Sequence, residues 1–104
     1  MYYIYMLRCS DNSIYTGITT DLNRRIKEHI EKSKKCAKYT SVHDVLKLEA
    51  AFTTCSKSDA LKLEYRIKKL KKSDKEKLIS NNEFLYSIFD NKLDMGLYRI
   101  FEIV

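Results

Sequence analysis

The run Tyr2-Tyr3-Ile4-Tyr5-Met6-Leu7-Arg8-Cys9, then Ser10-Asp11-Asn12-Ser13, then Ile14-Tyr15-Thr16-Gly17, decides the fold. The first eight residues favour β-structure, four turn formers stop them, and a second short strand, 14–16, follows directly. Two strands this close in sequence pair most simply as an antiparallel hairpin. Gly17 ends the second strand. The chain has only two glycines and no proline. A glycine where strand gives way to helix indicates an unusual backbone angle or a close approach to a ligand; a plain turn glycine fits equally.

Moving outward, Thr20 is placed to cap a helix over 21–33, with Asp21 in its first turn. Leu22, Ile26 and Ile30 recur every four residues as its buried stripe. Arg25 and His29 sit together on the flank of that stripe. Such a pair suits a phosphate site, or is a snorkelling arginine beside a hydrogen-bonded histidine. A basic loop, 33–43, leads to a third strand over Val45–Phe52. Ser56 and Asp59 then resemble a capping box opening a helix over 57–72. Its apolar positions are Ala60, Leu61, Leu63, Ile67 and Leu70, and Glu64 falls inside their arc. A carboxylate there is costly unless paired or bound to a metal, so it is either half of a salt bridge or functional. Ser73-Asp74-Lys75-Glu76 forms a second capping box, starting a short helix to about Ser80. The remainder suggests a helix or loop near 83–90 and a strand over 97–103, packed on the sheet or serving a partner.

Composition bounds the rest. At 104 residues, 44% hydrophobic and 12% aromatic, the chain is one domain and too apolar to be disordered. The lack of proline and near-lack of glycine exclude collagen-like and Pro-rich linker sequences. Residues 1–80 hold 18 Lys and Arg against 10 Asp and Glu, whereas residues 81–104 hold 2 against 4. Any polyanion is therefore expected at 1–80, with 81–104 as a C-terminal extension packed on the domain or at an interface. Cys9, Cys36 and Cys55 have no zinc spacing, and no signal or membrane segment is evident. A cytoplasmic protein with reduced thiols and no membrane partner is expected.

The order of these features resembles the GIY-YIG nuclease superfamily. Tyr3-Ile4-Tyr5 is followed about ten residues on by Tyr15-Thr16-Gly17, then by 21–26 (DLNRRI) and His29. Ala37-Lys38-Tyr39-Thr40 and 61–70 (LKLEYRIKKL) are similar to the small stand-alone bacterial branch. The resemblance covers about residues 1–80. It implies a small α/β sandwich, a three-stranded antiparallel sheet flanked by helices in the order β-β-α-β-α-α, followed by the extension. It further implies that Tyr5, Tyr15 and Arg25, assisted by His29, converge with Glu64 on one phosphodiester and one divalent cation. Gly17 would let the backbone pass close to the site. The sequence departs from the family pattern twice. Tyr3 replaces the glycine of the first triplet, and the asparagine that many members carry after the glutamate has only Asn81 and Asn82 as late counterparts.

The chemistry accords with these residue types. Phosphodiester hydrolysis needs an activated water, a Lewis acid and stabilisation of phosphoryl charge. A lone carboxylate, Glu64, suits Mg²⁺ or Mn²⁺, and Arg25 offers a fixed cationic fork. Tyr15, ahead of Tyr5, could take the proton from water, provided neighbouring positive charge depresses its pKa. Lys38, Lys68, Lys69, Lys71 and Lys72, with Lys75 and Lys77, would hold a DNA backbone without reading sequence. The expected function is a divalent-metal-dependent endonuclease acting on DNA in repair or processing. The alternative is a non-catalytic nucleic-acid-binding or protein-interaction module on the same scaffold, with the extension mediating self-association.

Overall fold

The computed structural model describes residues 1–31 and 43–103. Strand β1 (Tyr2–Cys9) turns back through Asn12, whose φ of 70° is one an asparagine tolerates, into β2 (Ile14–Thr19). Helix α1 (Leu22–Ile30) follows, then β3 (Val45–Thr54), α2 (Lys57–Lys68), α3 (Lys72–Ser80) and α4 (Phe84–Ile88). A 3₁₀ turn (Met95–Leu97) leads into β4 (Arg99–Phe101). All strand pairs are antiparallel, in the order β2-β1-β3-β4.

The sheet therefore has four strands, where three were expected. The fourth comes from the 97–103 stretch. Strand β3 runs two residues past Phe52, and Ala51, Phe52 and Thr53 pair with Phe101, Ile100 and Arg99. The extension is stitched to the body by side chains as well. Tyr98 is buried and its hydroxyl donates to the Asp59 carbonyl at 2.8 Å, while the Thr54 hydroxyl donates to the Leu97 carbonyl at 2.9 Å.

Alternation along β1 separates the two faces. Ile4 and Met6 join Phe52, Leu63, Ile67, Leu78, Leu85 and Phe89 in the larger core, under α2, α3 and α4. Tyr5 and Leu7 join Leu22 and Ala51 in a smaller core under α1. A sheet between two helical layers is the sandwich expected.

Several local expectations are corrected. Asp21, not Thr20, caps α1, because its carboxylate accepts from the Arg24 N–H at 3.1 Å. That helix stops at Ile30, which is 55% exposed; the buried position in its last turn belongs to His29. Gly17 lies inside β2 opposite Tyr5 rather than ending the strand. Ser56 does cap α2, accepting from the Asp59 N–H at 3.1 Å, but that helix ends at Lys68, short of 72, and Leu61 lies outside its buried stripe. The box at Ser73 does not form. Helix α3 begins at Lys72 with no side-chain cap, and Glu76 instead binds Arg8, accepting from Nη1 at 2.7 Å. Arg8 also donates to Glu49 at 2.9 Å, so one arginine ties α3 to β1 and β3. Cys36, Lys38 and the Ala37–Thr40 motif lie outside the described residues. Cys9 is buried and Cys55 exposed, both as free thiols. Among the described residues no helix is long and apolar enough to cross a membrane.

Candidate functional site

The site is built on the β1–β2 hairpin where α1 crosses it. Tyr5 and Gly17 are cross-strand partners, and Tyr15 stands one same-face position along β2. Helix α1 supplies Arg25 and His29 from successive turns. The Tyr5 hydroxyl lies 2.8 Å from His29 Nε2, with both residues buried. The Tyr15 ring sits 6.2 Å from Tyr5 and 5.2 Å from His29, centroid to centroid. Arg25 interacts with both phenols, and its Nη1 donates to Glu28 Oε1 at 3.0 Å.

Gly17 has a physical role here that differs from the expectation. Its φ is not positive, so no unusual backbone angle is required. A Cβ at this position would meet Tyr5 Oη at 2.5 Å and Tyr5 Cζ at 2.7 Å. The close approach is to the protein's own tyrosine: Gly17 leaves the room that the end of the Tyr5 ring occupies where it meets His29.

Glu64 arrives from the other layer. Helix α2 packs along β2, one edge strand of the sheet, and Glu64 leaves its buried stripe at the margin, 18% exposed. Lys68 Nζ lies 3.6 Å from the Glu64 carboxylate and 6.0 Å from the Tyr15 ring centroid. One ammonium thus spans the carboxylate and the tyrosine. The salt bridge foreseen for Glu64 is present, and the carboxylate still acts electrostatically on both phenols.

Burial dominates the protonation states. It pushes Tyr5 well above an ordinary phenol, with Tyr15 adding to the effect and Arg25 opposing it. Tyr15 is raised too, by burial first, with Glu64 raising it and Arg25 lowering it. His29 is lowered to about 4 by burial and then by Arg25, against a smaller pull from Glu28. It is a neutral ring at physiological pH, able to accept from Tyr5 but not to act as a cation on phosphate.

The structure thus brings Tyr5, Tyr15, Gly17, Arg25 and His29 together and sets Glu64 at their edge. The lysines are less uniform. Lys68 is at the site and Lys69 covers the Tyr65 ring at 5.4 Å. Lys71 is exposed at the start of α3. Lys72 is occupied in donating to the Asn12 carbonyl at 2.6 Å. Lys75 is half-buried, and Lys77 lies 5.7 Å from the Phe84 ring centroid. Sequence reasoning missed Glu28, the anchor of Arg25; its i,i+3 spacing from Arg25 was the available signal.

Neither departure from the family pattern is compensated by these residues. Tyr3 packs edge-on against Phe101 of β4, with ring centroids 5.3 Å apart. Asn82 donates to the Leu78 carbonyl at 2.8 Å and Asn81 accepts from the Glu83 N–H, so both are spent on the α3–α4 turn.

A hairpin bearing two tyrosines and a close-packed glycine, crossed by an Arg/His helix and edged by a helix-borne glutamate, defines a GIY-YIG-type catalytic domain. Comparison with known proteins agrees, and the chain belongs to the GIY-YIG family: the model of the GIY-YIG catalytic domain matches residues 1–78. The chain is 44% identical over 100 residues to a UPF0213 protein of Fusobacterium nucleatum, covering 96% of this chain and 98% of that one. It is 46% identical over 79 residues to a UPF0213 protein of Halalkalibacterium halodurans, covering 76% and 82%. A solution NMR structure of a UPF0213 protein from Bacillus halodurans superposes with a TM-score of 0.50 at 36% identity, covering 89% of this chain and all of that one.

Proposed function

We propose that the chain is a divalent-metal-dependent endonuclease hydrolysing phosphodiester bonds in DNA, in repair or DNA processing. The observation that carries this reading is the meeting of Tyr5, Tyr15, Arg25 and His29 at the edge reached by Glu64. Membership of the GIY-YIG family supports a nucleic-acid substrate.

The donors suit a hard cation. Among the described residues no three His, Cys, Asp or Glu gather to hold an ion. Glu64 is a single carboxylate at a margin, which matches Mg²⁺ or Mn²⁺, ions that keep several waters and share substrate oxygens. Such an ion would supply Lewis acidity at the scissile phosphate. The Arg25 fork, held by Glu28, binds a phosphoryl oxygen. Tyr15, the more open of the two phenols, takes the proton of the attacking water as its phenolate, having first lost its own proton to solvent, and a solvent water protonates the departing oxygen. The raised pKa of Tyr15 means it does so only while cationic charge, including Arg25, faces its oxygen. Tyr5, sealed against His29, orients Tyr15 and Arg25.

The test is purified protein on DNA with Mg²⁺ or Mn²⁺, beside Glu64→Ala and Tyr15→Phe. Each variant is expected to lose about 100-fold or more in cleavage rate. Cleavage that persists at the wild-type rate in both variants would overturn the site assignment.

The second reading, a non-catalytic nucleic-acid-binding or protein-interaction module, is favoured by one observation: Asn81 and Asn82 are spent in a turn. DNA binding that weakens steeply with salt, with no cleavage under either metal, would select it.

A further inference from the structure

The outer face of α2, the helix that carries Glu64, and the segment 92–98 enclose a groove of about 960 Å³. Leu61, Tyr65 and Leu97 form its apolar surface, and Tyr65 is 57% exposed. Lys57, Lys62, Arg66 and Lys92 supply its charge. The lining also holds two acids: Asp59 accepts from the Ser56 hydroxyl at 2.7 Å and pairs with Lys62 at 3.9 Å, and Asp94 accepts from the Gly96 N–H at 3.2 Å. Against four cations they leave a net positive rim around an aromatic and aliphatic floor, and the Lys62 side chain stays 61% exposed. That chemistry suits an anionic chain carrying flat apolar groups.

Helix α2 links this groove to the Glu64 margin. At about 100° per residue along α2, Glu64 and Lys68 are followed around the helix by Leu61 and Tyr65, and then by Lys62 and Arg66. A chain leaving the Glu64 margin therefore crosses Tyr65 before it reaches the basic rim. Lys69, poised over the Tyr65 ring, adds a cation on the same path. A second copy of this chain is a poor occupant, because each copy carries a net charge of +6.

We infer that this groove holds the unpaired flank of the polynucleotide whose phosphodiester occupies the site, with a base stacked on Tyr65 and phosphates on Lys62 and Arg66. The inference rests on the nuclease reading and narrows its substrate to strands unpaired beside the scissile bond. Stacking on an exposed aromatic tolerates any base, and the cations grip the backbone, so the groove selects strandedness rather than sequence.

The experiment measures metal-free binding of a labelled single-stranded oligonucleotide and of its blunt duplex by fluorescence anisotropy. Wild type is expected to prefer the single strand. Tyr65→Ala should weaken that binding about tenfold and leave the duplex unchanged, and Tyr65→Trp should restore it. Amide shifts in a nitrogen-15 spectrum should move at 57–66 and 92–98 with the single strand. A change under twofold in Tyr65→Ala overturns the inference. So does a groove whose amides respond to an acidic amphipathic peptide and not to the oligonucleotide, which would assign it to a protein partner. The two readings fail separately. Metal-dependent cleavage without a Tyr65 effect sinks the groove alone, and Tyr65-dependent binding without cleavage sinks the nuclease alone.

Discussion

The Tyr5 hydroxyl and the Nε2 of His29 meet at 2.8 Å in a space closed to solvent, joining the first strand to the first helix. A ring in that position cannot charge cheaply, and this has a measurable consequence. The His29 pKa falls to about 4 in the fold, from an ordinary value near 6.5. The unfolded chain thus binds more protons between those values, and stability rises with pH across the window. Acidification from about pH 6.5 to 4 should remove on the order of 2–3 kcal/mol through this residue. Urea unfolding of wild type and His29→Gln at pH 7 and pH 4.5 checks it. The variant should show a distinctly smaller loss, and equal losses would mean that other groups carry the acid sensitivity.

Gly17→Ala should be costly for a reason of space alone. The added methyl would overlap Tyr5 Oη and Cζ, and Tyr5 is packed too tightly to yield. The expected destabilisation is about 1–3 kcal/mol by denaturant unfolding. In Gly17→Ala combined with Tyr5→Phe the hydroxyl overlap disappears while the ring-carbon overlap persists. The second substitution should therefore cost less in the alanine background than alone. Strict additivity would show that the two positions do not compete for the same volume.

The hairpin, α2 and the adjacency of Arg25 and His29 were legible because local pattern decides them, whereas the convergence of Tyr5 and Tyr15 on that pair was implied only by the family resemblance. Tyrosine and isoleucine alternate around turn formers, and Arg25 and His29 sit one helical turn apart. Other features depend on contacts remote in sequence. Glu76 has the spacing of a capping partner for Ser73, but Arg8, 68 residues away, holds it instead. The strand Arg99–Phe101 is readable as a strand, yet its membership of the sheet depends on how far β3 extends. Gly17 shows the same limit at a single atom. Sequence marks it as special, and only the neighbouring Tyr5 ring explains why.

Thr16 offers a gain in stability. It is buried beside Met6, opposite α2, and its hydroxyl is the buried side-chain oxygen left without a partner among the described residues. Burying a hydroxyl without a hydrogen bond costs about 1–3 kcal/mol. Thr16→Val keeps the β-branched shape and should raise stability by about 1 kcal/mol. An unchanged or lower urea midpoint would mean that the hydroxyl is satisfied in solution.

The Arg25–Glu28 pair separates positioning from general stability. Both side chains are mostly buried, at 21% and 16% exposure, and they meet at 3.0 Å one helical turn apart. Removing Glu28 should leave the charge of Arg25 intact but release its fork. Glu28→Gln is therefore expected to slow single-turnover cleavage about tenfold while changing stability by about 1 kcal/mol or less. Arg25→Ala would remove the proposed phosphate contact itself and should cost about 100-fold or more. His29 supplies an independent readout, because Arg25 lowers its pKa and Glu28 raises it. An NMR titration should move the His29 pKa further down in Glu28→Gln and back up in Arg25→Ala. Opposite shifts with unequal rate losses identify Glu28 as the residue that aims Arg25. A wild-type rate in Glu28→Gln, with the His29 shift present, would show that Arg25 holds its geometry without that anchor.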